Sequence, residues 1–238
     1  MIRTALRRAP RGWAHDSLRA YVVTDDKYLK GPGIDLVSKL HAAAAGGATS
    51  IQLRLKKTGT ADYVALARET QAMLAEFNPR PWFIIDDRLD VCLVVDADGL
   101  HVGDGDLDPV DARRLLGPGK ILGVSTYGEV ARAEAAIIAG CDYIGTGSIR
   151  TSATKVTVAK GLGQMPKLVE HVNGRVGIVS IGGVDADVAR ETCLAGCDGG
   201  AAVSYILDAE SADEVRARTA ALLAAAQEGV DAFRAQQG

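Results

Sequence analysis

One unit recurs along the chain and restricts the fold more than any other feature: a small or glycine-containing stretch, often ending in aspartate, followed by a short apolar run. Ala45-Gly46-Gly47-Ala48 precedes Ser50-Ile51-Gln52-Leu53-Arg54, and Asp96-Ala97-Asp98 precedes Gly99-Leu100-His101-Val102. Ala139-Gly140-Cys141-Asp142 precedes Tyr143-Ile144-Gly145-Thr146, and Ala195-Gly196-Cys197-Asp198 precedes Gly199-Gly200-Ala201-Ala202-Val203. A helix that stops at a glycine and feeds a buried strand writes this pattern. Further strand-like runs at Tyr21–Thr24, Trp82–Ile85, Ile121–Val124 and Gly177–Ile181 bring the number to about eight. Helical periodicity fills Ala61–Phe77, Val130–Ala139, Ala186–Ala195 and Ala212–Ala226, with Asp185 as an N-cap and Ser211 with Glu214 as a capping box. Near-continuously apolar strands alternating with helices imply a parallel sheet buried on both faces. At 238 residues, with no Pro/Gly/Ser-rich divider, the economical solution is a single-domain α/β chain, the (β/α)8 TIM barrel. An open doubly wound sheet is the alternative.

Composition narrows the class of partner. Lys plus Arg number 27 against 30 acids, a net charge of −3, which argues against a nucleic-acid binder or a surface that clings to anionic membrane. The apolar stretches, such as Ala221–Ala226, fall far short of the roughly 20 residues of a membrane span. Cys92, Cys141, Cys193 and Cys197 sit in apolar or Ala-Gly contexts and lack matched CxxC pairs, so they read as small core residues in a reducing, cytoplasmic compartment. Residues 1–19 carry five arginines and no acid before Asp16; they read as an N-terminal extension preceding a barrel over 20–238, with a bias shared by organelle transit peptides.

A barrel of this type places its site at the C-terminal strand ends. After the second strand, alternation sends Gln52, Arg54 and Lys56 to the interior, where cations need an anionic ligand or acids on neighbouring strands. Asp86-Asp87-Arg88 follows the third strand and His101-Val102-Gly103-Asp104-Gly105-Asp106 the fourth. Carboxylates converging there repel unless a cation lies between them, and Mg2+ would serve; Asp86 or Asp87 could instead pair with Arg54 or Arg88. Asp104 and Asp108 read as loop acids and His101 as a satisfied core histidine. The fifth strand ends in Val124-Ser125-Thr126-Tyr127, and the sixth runs into a hydroxyl- and glycine-rich loop that ends at Lys155. Gly182-Gly183 and Val203-Ser204, after strands seven and eight, supply a second phosphate cradle. No Ser-His-Asp set, Cys-His pair or apolar Schiff-base lysine is identifiable, which leaves chemistry by charge stabilisation.

Taken in order, Tyr21–Asp25, Ile51–Arg54, Asp87-Arg88-Leu89-Asp90, Ala97–Gly103, Ile121–Ser125, Asp142–Gly145, Thr154-Lys155 and Ser180–Val184 resemble the thiamine phosphate synthase family from about Tyr21 to Val215. The resemblance implies a transferase that joins hydroxymethylpyrimidine diphosphate to thiazole phosphate, with loss of pyrophosphate before the thiazole nitrogen attacks. It implies that Gln52, Arg54, Lys56, Ser125 and Lys155 bind the pyrimidine diphosphate, and that Asp86, standing where the family usually has asparagine, is a further substrate-binding residue. By the same carry-over Asp87 and Asp106 hold Mg2+, and Ser152, Ala153, Thr154, Gly183, Val203 and Ser204 hold the thiazole phosphate. Its partners would be small molecules, with a homo-oligomer allowed. Leu55 replaces a usual acid, the sixth-strand loop lacks the usual prolines, and Tyr127 occupies a position often held by histidine. These departures motivate the alternatives: a divergent phosphate-ligand-binding barrel without catalysis, the related thiazole tautomerase, and, by fold analogy, a sugar-phosphate isomerase or lyase.

Overall fold

Each of the eight apolar runs forms a strand in the computed structural model, which describes residues 13, 15–30, 33–149 and 162–238. The strands are β1 (Ala20–Val23), β2 (Ser50–Leu53), β3 (Trp82–Asp86), β4 (Gly99–Val102), β5 (Ile121–Ser125), β6 (Tyr143–Thr146), β7 (Gly177–Ile181) and β8 (Gly199–Ala202). All pair in parallel in sequence order, and β8 returns to β1, closing the barrel. Helices α1 (Leu36–Ala45), α2 (Thr60–Leu74), α3 (Leu89–Val95), α4 (Pro109–Leu116), α5 (Val130–Ile138), α6 (Met165–Val172), α7 (Ala186–Leu194), the short α8 (Ser204–Leu207) and α9 (Ala212–Gln237) complete the order. The fold is therefore the (β/α)8 barrel, and the open doubly wound sheet is excluded by the β1–β8 pairing.

Alternation along each strand produces two cores. Outward residues such as Val22, Ile51, Leu53, Phe83, Ile85, Leu100, Leu122 and Ile144 join the helices in a large annular cluster that also contains all four cysteines. Inward residues Tyr21, Val23, Ile84, Ile121, Tyr143, Val179 and Ala201, with Leu18, fill the barrel itself. Leu55 belongs to the outer layer, 3% exposed, so this departure from the family pattern leaves the barrel interior unchanged.

The recurring aspartates have a structural role at the barrel floor. Asp98, before β4, accepts from the N–H of Phe83 on β3; Asp142, before β6, accepts from Leu122 on β5; Asp198, before β8, accepts from Ile178 on β7. Thr49 plays the same part before β2, its hydroxyl accepting from Ala20 N–H. Each acid thus satisfies an amide at the start of the preceding strand that no ladder partner reaches. Arg19, 2% exposed, donates to the Asp198 carbonyl and to Asp16. Trp13 packs against Trp82 and Tyr143, and Leu18 belongs to the interior cluster, so the packed body begins ahead of residue 20.

Asp185 caps α7 through Val188 N–H as its position suggests. At α9 only half of the capping box forms: Ser211 accepts from Glu214 N–H, while the Glu214 carboxylate turns to Glu210 N–H. That helix continues past Ala226 to Gln237 despite Gly229, which packs closely on α7 at Arg190 and Cys193, because Val230 is buried and Phe233 lies against Gly196 just beyond α7. Among the described residues no helix is long and apolar enough to cross a membrane.

Candidate functional site

At the C-terminal ends of the strands the barrel opens into a cavity of about 370 Å³. Gln52, Arg54, Lys56, Asp86, Asp106, Ser125, Gly183, Val203 and Ser204 all line it. Their convergence follows from period-two alternation: Gln52 lies opposite Ile84 on β3, Asp86 opposite His101 on β4, and Ser125 opposite Gly145 on β6. Lys155, Ser152, Ala153 and Thr154 lie outside the described residues, as does the Arg150–Thr151 segment.

The rim over β2–β4 is a network of charge. The loop after β2 is held by Asp26, which accepts from the N–H groups of Lys56 and Lys57 and from the Thr58 hydroxyl. Thr24 fixes the start of this loop by accepting from Arg54 N–H. The Arg54 guanidinium pairs with Asp25 at 2.8 Å and lies 3.7 Å from Asp86. The Lys56 ammonium is 3.3 Å from Asp86, 3.2 Å from Asp87 and 3.1 Å from Asp106. Of the two partners open to these cations from sequence, the structure supplies acids on neighbouring strands. Lys56, reached from the adjacent strand end, is one cation placed among these carboxylates.

The acids differ in environment. Asp86 is 6% exposed, and burial pushes its carboxyl up to about 6 against the pull of Lys56 and Arg54. Its buried Oδ2 forms the ion pair with Lys56 but no directed hydrogen bond. Asp87, held in the left-handed region at φ 65°, is raised by burial and by its neighbour Asp106. Burial acts upward on Asp106 too, yet Asp87, the Gly103 N–H and Lys56 together hold it below the ordinary carboxylate range. Two adjacent carboxylates pushed apart in this way behave as a coupled pair. Burial opposes the Lys56 ammonium, but the three acids keep it firmly protonated. Asp87 and Asp106 are hard oxygen donors side by side, and the under-bonded Asp86 oxygen adds negative charge beside them. The donor set suits a divalent ion such as Mg2+, which takes one or two carboxylates. Among the described residues no group of three or more His, Cys, Asp or Glu side chains closes on a single metal position.

Arg88 takes no part: it pairs with Asp90 and donates to Thr60. Asp104 is a loop acid bound to Arg132, and Asp108 caps α4. His101, 9% exposed, is satisfied by Tyr143 and Ser125, in keeping with a core histidine, although its ring also reaches the cavity wall.

The opposite rim, over β6–β8, is built from backbone and hydroxyls. Gly147 and Ser148 after β6, Gly182 and Gly183 after β7, and Val203 and Ser204 after β8 face the cavity. Gly182 and Gly183 have φ values of 96° and 66°. A side chain at Gly182 would also run into Ser148, and one at Gly147 into the Ile181 carbonyl. Two turns are thereby pressed together, leaving little between the chain and a ligand.

Sequence reasoning passed over several residues here. Asp25 stood within a quoted stretch without a role, yet it is the closest partner of Arg54. Gly147 and Ser148 belonged to a loop weighed only as a whole. Tyr21 and Tyr143 read as strand hydrophobics, and nothing local reveals that their hydroxyls meet at 2.7 Å.

The sequence model of the thiamine monophosphate synthase family matches residues 20–206. The chain is 39% identical over 210 residues to the thiamine-phosphate synthase of Xanthobacter autotrophicus, spanning 87% of this chain and 97% of that one. It is 40% identical over 190 residues to the thiamine-phosphate synthase of Moorella thermoacetica, spanning 79% and 88%. Among solved structures it is similar to thiamine phosphate pyrophosphorylase from Pyrococcus furiosus, with a TM-score of 0.77 and 33% identity over 90% of this chain and 98% of that one.

Proposed function

The chain belongs to the thiamine monophosphate synthase family, transferases that make thiamine phosphate, and from that premise we propose how the two rims of its cavity divide the work. The β2–β4 rim takes the diphosphate of hydroxymethylpyrimidine diphosphate, and the β6–β8 rim takes thiazole phosphate. The observation that carries this reading is the convergence of Arg54 and Lys56 with Asp87 and Asp106 beside a cavity whose far wall is Gly182-Gly183 and Ser204.

The bond between the pyrimidine methylene carbon and the diphosphate oxygen breaks first, and its electron pair leaves with pyrophosphate. The thiazole nitrogen then gives its lone pair to the methylene cation, forming the C–N bond, so that no proton has to move. What the protein must do is neutralise a departing pyrophosphate polyanion and align the two partners. Arg54 and Lys56 supply fixed positive charge at the leaving oxygens. Gln52 and Ser125 orient the pyrimidine half, and Gly183, Val203 and Ser204 hold the phosphate of the other substrate. Lys155 with Ser152, Ala153 and Thr154, outside the described residues, joins these sets on sequence grounds. Asp87 and Asp106 would hold Mg2+, which when bound supplies further charge for the leaving diphosphate. The tautomerase alternative needs proton transfer, for which Tyr127 is a poor replacement for histidine near neutral pH.

The test is direct: incubate the protein with both substrates and Mg2+ and measure thiamine phosphate. Product that is lost in Asp87→Ala and in Lys155→Ala supports the reading. Binding of both ligands with no product in the unmodified protein would replace it with the divergent binder.

A further inference from the structure

Beneath the cavity floor, five side chains form an unbroken chain of hydrogen bonds. Gln52 Nε2 donates to the Tyr21 hydroxyl at 2.9 Å, and the Tyr21 and Tyr143 hydroxyls lie 2.7 Å apart. The Tyr143 hydroxyl is 3.0 Å from His101 Nδ1, and His101 Nε2 is 2.9 Å from Ser125 Oγ. Gln52, Tyr21, Tyr143 and His101 are all buried, and Gln52, His101 and the more exposed Ser125 line the cavity. Room for the chain exists because β5 carries glycine at position 123, where any Cβ would strike both the Tyr143 ring and His101.

With Gln52 donating through Nε2, donor arithmetic gives the direction. A phenol has one proton to give, and a neutral imidazole has one N–H and one bare nitrogen. Gln52 donates to Tyr21, so the Tyr21 proton needs an acceptor, and Tyr143 is its hydroxyl neighbour. The Tyr143 proton then goes to His101 Nδ1. His101 must therefore carry its proton on Nε2, which it donates to Ser125. The reverse order needs the Gln52 amide turned over, so that its Oε1 accepts from Tyr21 and Nε2 no longer donates. Burial raises both phenols well above their ordinary range, which keeps both protons in place.

We propose that Tyr143 and His101 are positioning residues that fix Ser125 as a hydrogen-bond donor into the cavity. With one lone pair taken by the His101 N–H, the Ser125 proton is left for a ligand, while its second lone pair can still accept. It therefore offers a donor to a diphosphate oxygen or a bare ring nitrogen of the pyrimidine. This assignment of the acceptor rests on the pyrimidine diphosphate being bound at Gln52 and Ser125; the direction of the chain does not.

The experiment is nitrogen-15 NMR of the histidine side chains in the ligand-free protein at alkaline pH, with His101→Gln to assign the His101 signals among the four histidines. The expected spectrum shows His101 protonated on Nε2 with Nδ1 bare. Tyr143→Phe removes the donor to Nδ1 while keeping the ring, so the Nε2–H form loses its dominance. The same variant should raise KM for the pyrimidine diphosphate about tenfold, the worth of one hydrogen bond, and leave KM for thiazole phosphate unchanged. Ser125→Ala should give a similar rise, with little added by combining the two. If Tyr143→Phe does not fold, the tautomer of the unmodified protein and the KM of Ser125→Ala decide the matter. A His101 protonated on Nδ1 overturns the proposal, as does a Tyr143→Phe protein with unchanged tautomer and unchanged KM. Failure of thiamine phosphate synthesis would leave the tautomer result standing, so the two readings fail separately.

Discussion

Across one cavity, the β2–β4 rim is assembled from side-chain charge and the β6–β8 rim from glycine backbone and hydroxyls. On the first rim two cations, Arg54 and Lys56, are shared among four carboxylates, Asp25, Asp86, Asp87 and Asp106, so each depends on its neighbours. On the second, position comes from chain conformation, as in the left-handed Gly182-Gly183 turn pressed on Ser148. The two constructions should fail differently. Removing one charge from the first rim strands its partners, whereas the second rim is more sensitive to an added methyl group than to lost polarity.

The largest expected effect is on the charged rim. Lys56→Ala should lower kcat for thiamine phosphate formation by about 10²–10³-fold, the scale of a lost preorganised electrostatic contact, and an unchanged kcat would break the assignment of the rims. Next comes pH. The folded-state value of Asp86, about 6 against the ordinary 3.8, means that ionising it costs stability. The cost is full above pH 6 and disappears as pH falls toward 4, because the folded chain takes up this proton first. Asp86→Asn should therefore be more stable than the parent at pH 8, by at most about 3 kcal/mol, with the gap closing by pH 4. Thermal melts of both proteins in chelator at the two pH values measure it, and a pH-independent gap would refute it.

On the backbone rim, Gly182→Ala should cost roughly 1–3 kcal/mol in denaturant unfolding, from a strained φ and overlap with Ser148. It should also raise KM for thiazole phosphate while sparing the pyrimidine substrate; the reverse selectivity would exchange the roles of the rims. Arg88→Ala sharpens the contrast from outside. Its exposed pair with Asp90 should be worth no more than about 0.5 kcal/mol, and turnover should not change.

Much of this was legible before any coordinates. The aspartates ahead of alternate strands mark the floor, and Gln52, Arg54 and Lys56 share an inward face because pleating is a property of consecutive residues. Helix ends were less so: α9 runs to Gln237 because Val230 and Phe233 find partners on elements distant in sequence. The pairing of Arg54 and Lys56 with acids, rather than only with a ligand, was one of two open alternatives. Alternation says which way a side chain points and nothing about what waits there.

Strand number, parallel order, the two-layer burial and the end of the barrel that carries charge are all written in local period and spacing. Closure of β8 onto β1 decided the rest, since it brings together hydroxyls 122 positions apart at Tyr21 and Tyr143. Lys56 likewise meets Asp106 across 50 positions. Such meetings depend on how far the barrel shears and where each loop ends, quantities set by all eight strands packing at once and by no single segment of sequence.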